Sequence, residues 1–344
     1  MVGRGASRYD RHVSQMDVWL HGFSFPGRVA EWARAAEGWG FTGLVIADSQ
    51  NLTADIWVEL AIAGAATSRL RLGPGVTNPV TRHIAVTASA ALTLQSETDG
   101  RVTLGFAQGD SALSQIGRRP LHVAAFEQAL FTLQGLLRGD EVEFENGSRG
   151  SIRWKDAALP KVPVHVAATG PRTIAAASRH ADGVDLTVGA ELERLRWGVR
   201  IVEEAGRPDE GIGAYVNVAV DDDADRARAL VRGSVATFAR FGAASHGVPG
   251  VSERARHDIA QVSADYEKDR HGEAAAGFAR RLDDDFIDAF AVAGPADTVR
   301  RRVSEIAACG IERLIVVPGS LDSDPAAVRA SVEQFAADVL PALC

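Results

Sequence analysis

Short apolar runs rich in Val, Ile and Leu recur along the chain, each followed by an Ala-rich segment whose apolar residues return every three or four positions. The first spacing suits a buried strand and the second an amphipathic helix. The first strand reads as DVWLHGF from Asp17, and a helix begins at Pro26, where the missing N–H of proline costs nothing. GLVIAD from Gly43 and LRLGPGVTN from Leu70 are the second and third strands, separated by a helix over Ile56–Ala66. A helix over 83–96 leads to a fourth strand, RVTLGFAQG from Arg101, and a helix over 126–137 follows. Asn146-Gly147 then sits between alternating segments, which predicts a hairpin excursion over about 141–154.

KVPVHVAATG from Lys161, GVDLTVG from Gly183, AYVNVAV from Ala214 and RLIVVPG from Arg313 complete eight strands. Helices are expected from PRTIAAASRHA, from Glu191, from DDDADRARALV, from PADTVRRRVSEIAACG and over 326–339. Nearly continuous apolar strands imply burial on both faces and therefore a parallel sheet. Eight strand–helix units predict an α/β fold, a (β/α)8 TIM barrel with insertions at its C-terminal face. A doubly wound sheet would need a G-x-G-x-x-G turn after the first strand, and HGFSFPG is not one. Residues 241–290 are too long for a simple loop and read as a helical insertion over the barrel mouth. Residues 1–15 are basic without an apolar run and read as a flexible leader, not a signal peptide, ahead of one domain over 16–344.

Composition narrows the partners. The 344 residues are 46% hydrophobic, enough for a deep core without a disulfide or metal staple. Forty-five acidic against 37 basic residues give a net charge of -8, which argues against nucleic acid as the main partner. Two cysteines, Cys309 and Cys344, suit a reducing compartment, so the cytoplasm is the expected location. No apolar run approaches the roughly 20 residues of a membrane span, and no His/Cys/Asp/Glu spacing suggests a metal.

In a barrel of this kind chemistry collects at the C-terminal ends of the strands. Here those ends carry His21 and Phe23; Asp48, Ser49 and Gln50; Gly75, Val76, Thr77 and Asn78; Gln108, Gly109, Asp110 and Ser111; Thr169 and Gly170; and Val188 and Gly189. Asn217, Pro318 and Gly319 complete the rim. Such a Gly-rich rim of amides and hydroxyls, with few charges, suits close backbone approach to a large flat cofactor. Several of these residues have plainer readings: Asp48 and Asp110 are good caps, Thr77-Asn78 before Pro79 makes an ordinary turn, and His21 can be a packed residue.

GPGVTNPVTRH from Gly73, DGRVTLGFAQGDSAL from Asp99, AATGPRTIAAASRHADGV from Ala167 and GPADTVRRRVSEI from Gly294 resemble the luciferase-like oxidoreductases. The likeness is to the branch related to methylenetetrahydromethanopterin reductase and deazaflavin-dependent glucose-6-phosphate dehydrogenase, and it runs from about Asp17 to Val339. It implies a (β/α)8 barrel that binds coenzyme F420, or FMN as the alternative, at its mouth. It also implies a non-proline cis peptide at Gly75–Val76, bulging behind the cofactor ring. Asp48, Thr77 and Asn78 would then meet the ring and its side chain. Gln108, Gly109, Asp110, Ser111 and Ala112 would hold the ring edge or tail. Ala168, Thr169, Gly170, Val188 and Gly189 would line the phosphate end. Relatives in the family are often dimers, so a homodimer acting on a small-molecule substrate is expected.

One departure matters. Many members of the family have Asp-His after the second strand, and here the pair is Asp48-Ser49. The acid–base candidates that remain are Asp110, His21 and Asp48, with geometry to decide among them. Three activities fit: F420-dependent hydride transfer, flavin-mononucleotide monooxygenation with the insertion as a lid, and cofactor binding without catalysis.

Overall fold

The computed structural model describes residues 16–156, 158–242 and 253–343. The expected leader over 1–15, residues 243–252 of the expected insertion, and Cys344 lie outside them. Eleven strands are present among the described residues: β1 (Asp17–Gly22), β2 (Gly43–Ile46), β3 (Arg71–Pro74), β4 (Leu104–Phe106), β5 (Val142–Glu143), β6 (Arg149–Gly150), β7 (Val164–Ala168), β8 (Gly183–Leu186), β9 (Ile212–Val220), β10 (Val292–Gly294) and β11 (Arg313–Val317). Eight of them run side by side in the order β3-β2-β1-β11-β9-β8-β7-β4. Every pairing in that path is parallel. Parallel bridges Leu72↔Val102 and Thr77↔Phe106 join β3 to β4 and close the ring.

The fold is therefore the expected (β/α)8 barrel. Strands β5 and β6 are the expected antiparallel hairpin, with Gly147 at positive φ in its turn. Strand β10 departs from expectation. It follows the insertion and pairs with the distal half of β9, Val292 opposite Val218. The nine-residue β9 outlasts its barrel neighbours and leaves an edge that β10 covers.

The period-two alternation of each strand separates two cores. Val18, Leu20, Leu44, Ile46, Val216 and Val316 join the large cluster between strands and helices. Their alternates Trp19, Val45, Tyr215, Ile315 and Val317 form a small inner cluster inside the ring. Below it lies a polar layer in which buried Arg313 Nη2 donates to Asp185 Oδ1 at 2.5 Å and buried His165 Nε2 meets Oε2 of the exposed Glu210 at 2.7 Å. These pairings make the buried charges tolerable. Above the inner cluster the barrel opens.

The seam between β3 and β4 depends on Gly73, where a Cβ would lie 1.8 Å from the Thr103 carbonyl oxygen. Helix starts follow local chemistry. The Asp55 carboxylate accepts from Trp57 N at 3.0 Å ahead of helix Ile56–Ala66, and the His83 ring accepts from Ala85 N ahead of helix Ile84–Glu97. After helix Ala224–Gly242 the described part of the insertion holds Glu253–Ala264, a turn at Lys268–Arg270, Gly277–Arg280 and Asp284–Phe290.

Candidate active site at the barrel mouth

A cavity of about 810 Å³ opens at the C-terminal end of the barrel. Its wall joins Gly75, Val76 and Asn78 after β3 to Gln108, Gly109, Asp110, Ser111 and Ala112 after β4, and to Ala168, Thr169 and Gly170 after β7. His21, Phe23, Asp48 and Ser49 close it from β1 and β2. These segments are distant in sequence. The barrel brings them together because each follows its strand at the same end of the ring.

The Gly75–Val76 peptide is cis. Gly75 has no room for a side chain, since a Cβ there would lie 2.7 Å from Val45 Cβ and 3.3 Å from the Tyr215 hydroxyl. The Gly75 carbonyl accepts from His21 Nε2 at 3.1 Å. That contact makes the other ring nitrogen, Nδ1, the lone-pair side, and it is buried without a partner. Burial pulls the His21 pKa down to about 4, so the ring is neutral across the ordinary range.

Asp48 is almost wholly buried. Its Oδ2 accepts from Thr77 Oγ1 at 2.7 Å and from Arg82 Nη1 at 2.6 Å, while Arg82 Nη2 reaches Asp55 at 2.9 Å. Burial raises the Asp48 pKa above its ordinary value, and Arg82 and Thr77 offset part of that rise. Thr77 itself is fully buried and does not line the cavity. Its hydroxyl is turned to Asp48. Asp110 is paired with Arg240 from helix Ala224–Gly242, and the guanidinium lies 4.2 Å from the centre of the Tyr266 ring. Asp110 precedes the short helix Ser111–Ser114, but its side chain caps nothing.

Around these charges the wall is made of neutral groups. Ser49 Oγ lies 3.2 Å from Ser111 Oγ. Gln108 donates to the Leu121 carbonyl at 2.6 Å and accepts from Thr173 Oγ1 at 2.8 Å. Thr169 and Thr187 hydroxyls meet at 2.6 Å. Asn78 Oδ1 accepts from Val80 N and Thr81 N, which leaves its amide nitrogen without a protein partner among the described residues. Helix Pro171–His180 starts at the cavity edge, with Arg172 and Thr173 in its first turn and in the wall.

Two expected wall residues lie elsewhere. Val188 is fully buried, and Gly189 packs against the Phe290 ring, so neither reaches the cavity. The chain turns outward one residue after Thr187, whose side chain does reach it. Of the expected rim residues, Phe23 lines the cavity, whereas Gln50 does not and donates to the Ala112 carbonyl. Arg82, Arg172, Tyr215, Arg240, Tyr266 and His271 were not read as site residues from the sequence. Arg82 stands inside GPGVTNPVTRH, so its motif was visible. Tyr266 and His271 stand in a polar insertion with no period to single them out. Among the described residues no cluster could hold a metal ion, and no helix is long and apolar enough to cross a membrane.

The 5,10-methylenetetrahydromethanopterin reductase of Methanolobus tindarius is 27% identical over 308 residues, 84% of this chain and 89% of that protein. The F420-dependent glucose-6-phosphate dehydrogenase of Nakamurella multipartita is 32% identical over 234 residues, 60% of this chain and 66% of that protein. The solved structure of the coenzyme F420 dependent tetrahydromethanopterin reductase from Methanopyrus kandleri superposes with a TM-score of 0.73 at 24% identity, covering 96% of this chain and 100% of that one. A model of the luciferase-like monooxygenase family matches residues 12–313, and the chain belongs to that family.

Proposed function

We propose that this chain is an F420-dependent oxidoreductase that transfers a hydride between the deazaflavin C5 and a small organic substrate. The observation that carries the reading is the donor set of the 810 Å³ cavity. Its amides, hydroxyls and glycines fit a flat, polar-edged ring, and one end of it has the first-turn N–H groups of helix Pro171–His180 beside Arg172. Arg172 has no ion-pair partner among the described residues, which suits an anionic tail. Resemblance to F420-dependent reductases and dehydrogenases supports the same cofactor.

When bound, F420 supplies a two-electron hydride carrier. Gly75 and Val76 would support one ring face, and Asn78 Nδ2, Gln108 and Ser111 would meet polar edges. Thr169, Gly170 and the helix start would hold the tail. Thr77 and Arg82 both bind Asp48 Oδ2 and so fix the loops after β2 and β3, and Asp48 itself stands in the cavity wall. Val317, Phe238 and Phe241 exclude water from the opposite side. A homodimer belongs to the same proposal, and light scattering on the purified protein tests it.

The cofactor is tested by fluorescence titration of the purified protein. F420 is expected to be quenched at micromolar protein, with FMN binding at least tenfold more weakly. Tight binding of FMN without binding of F420 overturns the reading and favours the flavin monooxygenase.

A further inference from the structure

Reduction of a carbonyl needs a proton at oxygen, and the three acid–base candidates named from sequence, though in the cavity wall, each already have a partner. Asp48 is held by Thr77 and Arg82, and Asp110 by Arg240. His21 donates to the Gly75 carbonyl and its other ring nitrogen is buried. The cavity wall carries another histidine, His271, contributed by the insertion.

His271 sits in a built position. The Gly272 carbonyl accepts from Leu321 N at 2.8 Å, and the Asp322 carboxylate accepts from Ala274 N at 2.7 Å and Ala275 N at 3.0 Å. The same stretch packs on Gly233, where a Cβ would lie 2.4 Å from Ala274 N. The Tyr266 hydroxyl contacts His271 Nδ1, and the two rings meet edge to face at 5.9 Å. With the phenol donating, Nδ1 is the acceptor and the proton sits on Nε2. Nε2 has no protein partner among the described residues. Tyr266 in turn lies under Arg240, which Asp110 orients.

The surroundings of His271 indicate what it would meet. A row of rings, Phe23, His21, Tyr215, Phe238 and Phe241, crosses the cavity with neighbouring centroids 5.4, 6.2, 6.3 and 5.5 Å apart. Arg172 is the cation of the wall, and it follows β7, with β8 and β9 between it and β11, whose trailing loop holds Gly272. Among the described residues Arg172 is the one Lys or Arg side chain in the cavity wall, so the wall offers no cation at the His271 end to receive a phosphate or carboxylate.

We propose that His271 is the catalytic proton donor to the oxygen of an uncharged, largely apolar carbonyl substrate, with Tyr266 as the positioning residue that fixes its tautomer. This rests on the F420-dependent reading above. The carbonyl carbon takes a hydride, with its two electrons, from reduced F420 and the C=O π bond breaks. The oxygen takes the Nε2 proton as Nδ1 takes the Tyr266 proton; solvent then returns a proton to Nε2 and Nδ1 gives its proton back to the phenolate, which restores both groups. Arg240 over the Tyr266 ring faces the transient phenolate charge. Tyr215 also faces the cavity, but it stands beneath Gly75 and burial pushes its phenol far up.

Two measurements test this. Nitrogen-15 spectra of the full chain labelled at histidine, without cofactor, are expected to show His271 as the Nε2–H tautomer from pH 5.5 to 8.5. His271→Gln assigns the signal and Tyr266→Phe mixes the tautomers. An Nδ1–H tautomer, or titration near pH 6.5, overturns the proposal whether or not F420 binds. With reduced F420 and cyclohexanone as the probe, His271→Gln is expected to lower kcat about a hundredfold with KM and F420 affinity held within threefold. Tyr266→Phe is expected to lower kcat less and to alter its pH profile. A His271→Gln kcat within threefold of the parent, or the large loss falling on Tyr215→Phe instead, overturns the role. Turnover of glucose 6-phosphate but not cyclohexanone overturns the substrate class, and absence of F420 binding overturns the functional reading alone.

Discussion

Arg82 Nη1 stands 2.6 Å from Asp48 Oδ2, and the carboxylate side chain is 1% exposed while the guanidinium is 16% exposed. The cation is the outer lid on a buried anion. The pair ties the loop after β2 to the loop after β3, both of which line the cavity.

Removing the cation leaves the anion buried. Arg82→Ala is expected to lose about 3 kcal/mol of stability at pH 7, since breaking a buried pair exposes the desolvation cost of the partner. The folded-state pKa of Asp48 is already raised by burial and rises further without Arg82. The folded protein then binds the proton more readily than the unfolded chain, so stability falls as pH rises through that interval. Urea denaturation should show a deficit that is large at pH 7 and small at pH 4. Adding Asp48→Asn to the variant should recover most of it, and an equal deficit at both pH values would refute the assignment.

Gly75→Ala places a methyl group 2.7 Å from Val45 Cβ. Overpacking of this kind costs about 1–3 kcal/mol. The expected result is a lower Tm together with weakened cofactor binding, both partly restored by Val45→Ala in the same chain. Full restoration of Tm without recovered binding would separate packing from the shape of the cavity wall.

His21 titrates near pH 4 when folded, against 6.5 for an unperturbed ring. Between those values the unfolded chain binds the proton and the folded one does not, so stability is lost as pH falls from 6.5 towards 4. At pH 5 the loss attributable to His21 is about 2 kcal/mol. His21→Gln, which keeps a donor for the Gly75 carbonyl, should flatten that part of the curve. His271, also lowered to about 4 by burial, contributes the same slope in parent and variant, so the difference isolates His21.

Arg172→Ala should raise the Kd for F420 about tenfold in low salt, which is about 1.4 kcal/mol. In high salt the difference between parent and variant should shrink, because screening removes the same interaction. A salt-independent loss would mean that Arg172 shapes the helix start and does not meet the anionic tail.

The barrel was legible because eight apolar runs carried their own evidence. Val18 and Leu20, Leu44 and Ile46, and Val216 all needed burial on the helix-facing side whatever their partners, and the strand-end glycines and amides followed from strand polarity. The expected β4 was longer than the observed Leu104–Phe106, and β10 was not expected at all. Three residues in the sequence Val-Ala-Gly carry almost no period, and what makes them a strand is the open edge of β9.

The site divides in the same way. Residues on the loops after β3, β4 and β7 were readable because a motif lies next to a strand whose end must face the mouth. Thr77, expected beside the cofactor, has its hydroxyl turned to Asp48, and Val188 and Gly189 lie outside the cavity wall, since a single residue of loop decides which side of the backbone faces the cavity.

The chain alone determined a parallel eight-stranded ring and the polar, weakly charged character of its rim, because hydrophobic period and strand-end chemistry are local. Tertiary structure alone decided which of those groups remain available. Arg82, Arg240 and Tyr266 lie 34, 130 and 5 residues from the groups they engage. Whether a carboxylate or an imidazole is free for chemistry depends on which cation or phenol the packed fold brings within hydrogen-bond reach.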